Sequence, residues 1–439
     1  MTPEAASRTP GTDAVIHVLA IVILGLLLML SPMALGALGW NYDGIGGSPP
    51  MRFHPATYLT LVLFVLVALR DGNPLASVIG AVLSDMRVAL FLLVWSVLLW
   101  HGAGNQELPA AALVDTFLLP VLLLLIFRRL DEDTRASMQV LLHGAVIANA
   151  LLGIGEVASG MRLTPFVAGG IPITDDWRAT ALFGHPLSNA LMTGIYASTL
   201  LLGGARELTG LKRLLVLALM FVAMVAFGGR ASFVLLLVLA GAAVLDTLVG
   251  FLMGRKFRLS HLAALLIVAP IVLVVLGAGL ELGLFDQFLL RFTSDAGSAN
   301  ARVVMFELFR HFTLPELLLG PPQQQLNYLV HVLGIEYGIE SLWIAFSLFY
   351  GIIPSILFFS GLLLFLISLL SHCRKRAWVI IAYFFLVNST FLGIAGKSIL
   401  FSVLCMALLL LLPAQRKVGM PAPSASVAGE ARWRGAASC

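Results

Sequence analysis

The chain has 439 residues, of which 59% are hydrophobic and 11% are charged, and its formal net charge at pH 7 is +4. Soluble domains carry roughly 25% charged residues, so this composition excludes a soluble globular protein and indicates a polytopic α-helical membrane protein. Basic cytoplasmic loops explain a small positive charge of this kind, and we therefore expect no nucleic-acid partner.

Apolar runs of spanning length predict an all-α fold with about twelve transmembrane helices. The first run is too long for the core of a signal peptide and no basic cluster precedes it, so we interpret it as a retained helix. The segment 75–84 is predicted to be interfacial or re-entrant. The predicted helices are 15–38, 55–69, 86–101, 110–127, 136–158, 183–203, 214–228, 231–253, 262–283, 341–370, 378–394 and 396–413.

Basic residues recur in alternate loops, and loops rich in Lys and Arg stay in the cytoplasm. We therefore predict that these loops and both termini are cytoplasmic. Residues 1–414 are predicted to form the membrane domain, and residues 415–439, rich in Ala, Gly, Pro and Ser, a disordered cytoplasmic tail. The loops are marked by Arg70, Arg87, Arg128, Arg135, Arg213, Arg255, Arg374 and Arg416.

Three segments are then extracytoplasmic, and the last of them, 284–340, is the only long loop. A loop of this length without structure of its own is unusual, so we expect helices within it. Capping and breaking residues predict these helices from Ser298 to Phe312, from Pro315 to Gly320 and from Gln323 to Gly334. The other two outer segments are 39–54 and 159–182.

Eight of the 27 Lys and Arg residues fall in or beside the outer segments, against the usual bias of a membrane protein. This placement indicates an anionic ligand, most simply a phosphate, bound at the outer face of the bilayer. The eight residues are Arg52, Arg162, Arg178, Arg230, Arg291, Arg302, Arg310 and Lys397.

Arg230 is the first candidate for binding a diphosphate, because it lies at the outer end of two apolar helices. Its guanidinium offers a planar fork of donors that matches phosphate oxygens. Gly228 and Gly229 before it are expected to let a ligand approach the backbone closely. The alternative is that Arg230 extends to the lipid headgroups.

Arg302 and Arg178 are further candidates for binding the diphosphate. Arg302 lies on the flank of the first helix predicted in the long loop, where it could also be a solvent-exposed residue of an amphipathic helix. Arg178 enters the sixth helix from outside, and its alternative is an ion pair with Asp175 or Asp176. His185 follows in the same stretch as a candidate catalytic base, or simply as a helix-start residue.

The long loop supplies three more candidates for a base that activates a sugar hydroxyl: Glu336, Glu340 and His331. The two carboxylates lie four residues apart, on one helix face; the alternative is a helix-start pair favoured by the helix dipole. We find no zinc-type His/Cys spacing and no carboxylate cluster, so neither a metal nor a cofactor is expected. Lys397 is the middle residue of a Gly-Lys-Ser sequence that lacks the glycine spacing of a phosphate loop.

Four stretches of the chain are similar to those of one family. They are residues 178–186 (RATALFGHP), 229–232 (GRAS), 301–302 (AR) with 319–320 (LG), and 336–343 (EYGIESLW). With them, residues 55–410 resemble the bacterial O-antigen polymerase and O-antigen ligase (Wzy/WaaL-like) superfamily, most closely the VpsF-type exopolysaccharide polymerases.

The resemblance implies a GT-C-like fold that uses undecaprenyl-diphosphate-linked glycans at the outer face of the inner membrane, without a metal or a nucleotide sugar. Arg230 and Arg302 would stabilise the leaving diphosphate. Ligases of this family carry a His followed by Asn in the large loop. Here Leu326-Asn327 stands at about that place, with His331 four residues later, which favours polymerisation.

We therefore predict a polymerase that joins lipid-linked repeats into exopolysaccharide or O-antigen, with a chain-length regulator and a flippase as candidate partners. One alternative is an O-antigen ligase-type transferase. Another is a flippase or transporter of an anionic lipid-linked glycan, but this class places polar residues at the centres of its helices, which here are apolar. A structural scaffold would leave the outward arginines unexplained.

Overall fold

The computed structural model describes residues 10–43, 48–70, 72–106, 108–168, 171–173, 177–254, 277, 281, 298–335 and 339–414. Helices dominate these residues, and the only strands among them are the two-residue β1 (Val167–Ala168) and β2 (Ile171–Pro172), which pair antiparallel. The prediction of an all-α fold is confirmed for this part of the chain. The predicted tail, 415–439, lies outside it.

The described α-helices follow the apolar runs of the sequence. The first are α1 (Pro10–Met29), α2 (Pro32–Ala37), α3 (Pro55–Arg70), α4 (Pro74–Leu83), α5 (Met86–Asn105), α6 (Ala110–Leu113), α7 (Leu119–Phe127), α8 (Glu132–Ser159) and α9 (Pro186–Leu201). They continue with α10 (Gly210–Phe227), α11 (Arg230–Leu252), α12 (Ser298–Glu307), α13 (Leu314–Leu319), α14 (Gln323–Val332), α15 (Leu342–Tyr350), α16 (Ile352–Ser371), α17 (Ala377–Asn388) and α18 (Leu400–Leu411).

Seven spans of the described helices are long and apolar enough to cross a bilayer, with the stretch from α6 through α7 counted as one span. The consecutive helices α3 and α4 would make an eighth, but they are bent by 106° at their junction. The chain is therefore a polytopic membrane protein. The shorter apolar helices α17 and α18 do not reach spanning length, and the predicted helix 262–283 lies outside the described residues.

The core of the bundle lies around α18, in which every residue is buried. Its 12 residues cover about 18 Å, less than the thickness of a bilayer core, so neighbouring helices rather than lipid surround it. Phe401 of α18 packs among aromatic rings from three other helices, including Phe117, Phe365 and Phe384. By contrast, α11 exposes most of its apolar surface, as expected for a helix that faces lipid.

Loops predicted to be cytoplasmic meet at one end of the bundle. Arg70 pairs with Asp13 at 3.2 Å, Arg128 donates to Ser84 Oγ, and Arg374 donates to the carbonyl of Gly203 at 2.7 Å. A hydrogen bond of 2.6 Å from Ser368 Oγ to Asp85 joins the last turns of α16 to the residue before α5. Arg374 follows shortly after the end of α16, so its loop lies at the same end of the bundle. We call this the basic end.

Segments predicted to be extracytoplasmic meet at the other end, which we call the loop end. Here Lys397 binds the carbonyl of Tyr42, and Trp343 Nε1 donates to Ser389 Oγ at 2.7 Å. The Gln106 side chain donates to the carbonyl of Gly320 at 3.1 Å. Among the described residues, loops with the basic clusters therefore lie at one end of the bundle and the predicted outer segments at the other.

Two predicted helices are interrupted at a proline or a glycine. The run 15–38 divides into α1 and α2 because Pro32 disfavours helical geometry at Ser31, which becomes the N-cap of α2. The run 341–370 divides into α15 and α16 at Gly351, whose φ is +94°. A side chain at Gly351 would collide with the backbone of Leu319, so the end of α13 packs into this break.

Helices predicted within the long loop are confirmed as α12, α13 and α14. Thr313 and Glu316 form a reciprocal capping box at the start of α13. Leu326 of α14 is fully buried, while Gln324, Asn327 and His331 lie on its exposed face. The long loop thus contributes packed helices to the loop end.

Candidate functional site

Two arginine-bearing stretches, separated by about fifty residues of sequence, meet at the loop end. The side chain of Arg178 lies against Gly228, where an added Cβ would be 2.8 Å from Arg178 Cδ. Gly228 has a φ of +65° and ends α10, and Arg230 begins α11 two residues later. The turn between α10 and α11 therefore lies between the two arginines.

Gly228 and Gly229 serve packing in the structure, which corrects the expectation that they leave room for a ligand. The space above Gly228 is filled by Arg178, and a Cβ at Gly229 would lie 2.4 Å from Ala190 Cβ of α9. Both glycines are thus required because helix α9 and its preceding loop approach the turn closely.

Arg178 and Arg230 are both partly buried. The guanidinium of Arg178 lies 5.6 Å from the centre of the Phe166 ring. The first turn of α11 is fixed from the other side, because Tyr383 Oη of α17 donates to the carbonyl of Ser232 at 2.8 Å. The turn that carries Arg230 is therefore packed against the side chain of Arg178 on one side and held by α17 on the other.

The loop that carries Arg178 is held by two polar side chains of α8. Glu156, only 3% exposed, accepts hydrogen bonds from the backbone N–H groups of Leu163, Thr180 and Ala181. Asn149 Oδ1 accepts from Leu182 N at 2.9 Å. We did not single out these residues from the sequence. The feature that could have identified Asn149 and Glu156 is the presence of two polar residues, seven positions apart, on one face of an apolar helix.

Backbone strain accompanies this loop. Ala181 has a φ of +38°, a left-handed conformation that costs a non-glycine residue about 1–2 kcal/mol. Gly184 has a φ of +68°, and a Cβ there would lie 2.4 Å from Ser31 Oγ of the α1–α2 junction. The hydrogen bonds from α8 hold the chain in a conformation that it would not adopt alone.

His185 is the N-cap of α9, as the helix-start alternative proposed. Its Nδ1 accepts a hydrogen bond from Leu187 N at 3.2 Å. The imidazole also packs edge-on against Phe166, with ring centres 5.2 Å apart. One ring nitrogen is thus engaged in capping α9.

Arg162 braces the same loop. Its Nε donates to the carbonyl of Arg178 at 3.0 Å and its Nη1 to that of Ile173 at 2.9 Å. The guanidinium stacks 4.2 Å from the Trp177 ring centre. These contacts account for the presence of Arg162 in an outer segment without any need for a bound ligand. They also fix the backbone at Arg178.

Lys397 is likewise held by the protein. Its ammonium donates to the carbonyls of Tyr42 and Arg52, lies 4.0 Å from the centre of the Tyr42 ring and is 3.8 Å from Asp43 Oδ1. Burial lowers the pKa of Lys397, and the carboxylate of Asp43 opposes that shift. Lys397 therefore ties the segment 39–54 to the loop before α18.

The candidates from the long loop are only partly described. Glu336 and the side chain of Arg302 lie outside the described residues, although Arg302 falls within α12 as predicted. His331 is exposed on α14, and Glu340 is partly buried beside Ser341, the N-cap of α15. Gln323 of α14 donates to the carbonyl of Phe349 at 3.0 Å, so α14 is anchored at the opposite end of α15 from Glu340.

Within the described ranges, no group of three or more His, Cys, Asp or Glu side chains is arranged to hold a metal ion. No protein-family model, curated protein or solved structure matches the chain. The family resemblance therefore rests on the four stretches quoted above, and the structure places Arg178 of the first stretch against Gly228, the residue before the second.

Proposed function

We propose that this protein is a glycosyltransferase of the polymerase type, which joins undecaprenyl-diphosphate-linked oligosaccharide repeats into exopolysaccharide or O-antigen. The observation that carries the proposal is the contact between Arg178 and the Gly228–Arg230 turn at the loop end. Two partly buried guanidinium groups on fixed backbone suit a diphosphate, which carries more than one negative charge.

In this mechanism the hydroxyl of one repeat attacks the anomeric carbon of another, and the lipid diphosphate leaves. Negative charge grows on the diphosphate oxygen as the glycosidic bond breaks. Arg178 and Arg230, with Arg302 from the long loop, stabilise that charge by hydrogen bonds already in place before the reaction. The reaction consumes no nucleotide sugar and needs no metal.

A base that takes the proton of the attacking hydroxyl belongs to the loop end, and the candidates are Glu336, Glu340, His331 and His185. Because a diphosphate is a good leaving group, charge stabilisation by the arginines contributes more than the base. Individual alanine variants of the four residues test this assignment, and the base is the residue whose loss reduces polymer at normal protein levels.

We propose a GT-C-like bundle of twelve transmembrane helices in the bacterial inner membrane, with the basic end and both termini in the cytoplasm. Support comes from the sorting of loops between the two ends. Exposed Trp100 lies by the loop end and exposed Trp378 by the basic end, the places where tryptophan meets lipid headgroups. The substrate would then be bound at the periplasmic face, where a flippase and a chain-length regulator are candidate partners.

The test is which intermediate accumulates when the gene is deleted. A polymerase leaves single repeats on undecaprenyl diphosphate at the outer face, within reach of an externally added glycosidase. Repeats confined to the inner face would contradict the proposal and identify a flippase. Long polymer retained on the lipid carrier would identify a ligase instead.

A further inference from the structure

Glu156 carries a buried carboxylate that takes no direct part in the proposed reaction. It lies near the end of α8 and is 3% exposed, and its hydrogen-bond partners are backbone N–H groups. Oε1 accepts from Leu163 N at 2.7 Å, while Oε2 accepts from Thr180 N at 2.7 Å and Ala181 N at 3.0 Å.

We propose that Glu156 is a positioning residue of the diphosphate site: its carboxylate keeps Arg178 against Gly228, two residues before Arg230. This inference rests on the proposed function. Glu156 binds the two N–H groups that follow Ala179, so its carboxylate fixes the chain immediately after Arg178. Its third bond, to Leu163, fixes the residue after Arg162, whose side chain holds the carbonyl of Arg178.

Ala181 shows why such a residue is needed. Its positive φ of +38° is unfavourable for an alanine, and its N–H is one of the three that Glu156 binds. Without the carboxylate, the loop would relax towards ordinary backbone geometry and carry Arg178 away from the turn. The site would then lose one of its two described cations although no residue that touches the ligand had changed.

Glu156→Gln is the discriminating variant, because it keeps the size of the side chain but turns one acceptor into a donor. The one amide oxygen of a glutamine can accept either from Leu163 N–H or from the N–H groups of Thr180 and Ala181. Its NH₂ group then faces the remaining N–H donors and cannot accept a hydrogen bond from them. We expect purified E156Q in nanodiscs to bind undecaprenyl diphosphate roughly tenfold more weakly than wild type. Asp133→Asn, an exposed carboxylate at the start of the same helix, is the matched control and should bind normally.

Rescue separates positioning from a general loss of stability. Ala181→Gly removes the cost of the positive φ, so we expect it to recover part of the affinity of E156Q. Ala205→Gly relieves a similar conformation, with a φ of +48°, at the basic end. It should leave the affinity of E156Q unchanged. Equal rescue by both glycines, or none by Ala181→Gly, would show that Glu156 acts on the fold alone.

Wild-type affinity in E156Q would overturn the inference while leaving the proposed function intact. Failure of the wild-type protein to bind undecaprenyl diphosphate would overturn the proposed function itself. Should E156Q not fold, Glu156→Asp takes its place, since a carboxylate on a shorter arm cannot reach all three N–H groups. We expect its affinity to be a few-fold below wild type, and undiminished binding would again contradict the inference.

Discussion

Basic side chains predicted to face outward occupy distinct environments at the loop end. Arg162 and Lys397 are held by backbone carbonyls, and Arg310 is exposed beside Glu307 at 3.4 Å. Arg178 and Arg230 instead flank the glycine turn between α10 and α11. An outward cation is therefore not in itself a mark of a ligand site.

Replacing the arginines that we propose to bind the diphosphate tests the proposed function. We expect Arg178→Ala, Arg230→Ala and Arg302→Ala each to abolish polymer at normal protein levels. Lysine at these positions should restore little, since the bidentate fork is lost and a single ammonium gives up about 1–3 kcal/mol of charged hydrogen bonding. The readout is the polymer ladder on a gel, beside an immunoblot of the membrane fraction.

Arg310→Ala is the control at this scale, because its side chain is 79% exposed and meets only a surface carboxylate at the edge of α12. It should make normal polymer. Wild-type polymer from the Arg178 or Arg230 variant would remove that residue from the mechanism.

At the scale of elements, the junction of α10 and α11 depends on close packing. Gly228→Ala adds a Cβ that meets Arg178 and requires an unfavourable positive φ. We expect this variant to lose most polymer. Gly39→Ala carries the same backbone strain, with a φ of +81° and no neighbour within 4 Å, and should cost about 1 kcal/mol of stability but little activity. Equal polymer from the two variants would show that contact with Arg178 is unimportant.

Helix positions were largely predictable because apolar runs and the basic residues between them can be recognised directly in the local sequence. The break at Gly351 was not predictable, since it depends on the end of α13 packing there from a distant part of the chain. For the candidate site, the arginines could be identified because positively charged residues are unusual in the predicted outer segments. The contact between Arg178 and Gly228, and the support from Glu156, arise only when α8, α9 and α10 pack together.

At the scale of the whole molecule, the sorting of loops predicts which residues can be reached from outside the cell. In a variant without its native cysteines, we expect a membrane-impermeant thiol reagent to label a cysteine at Leu38, which is 74% exposed at the loop end. A cysteine at Thr209, exposed at the basic end, should be labelled only after the membrane is opened. Labelling of position 209 in intact cells would reverse the proposed orientation.

We propose that this chain alone joins lipid-linked repeats, and that the reaction is driven by breaking the bond between the anomeric carbon and the lipid diphosphate, which leaves intact. The most direct measurement is to reconstitute the purified protein in liposomes with undecaprenyl-diphosphate-linked repeats from its own host, in the presence of a metal chelator and without nucleotide sugars. We expect a ladder of glycans that grows by whole repeats, with undecaprenyl diphosphate released in step. Single repeats that remain unchanged with wild-type protein, when the same preparation binds undecaprenyl diphosphate, would contradict it.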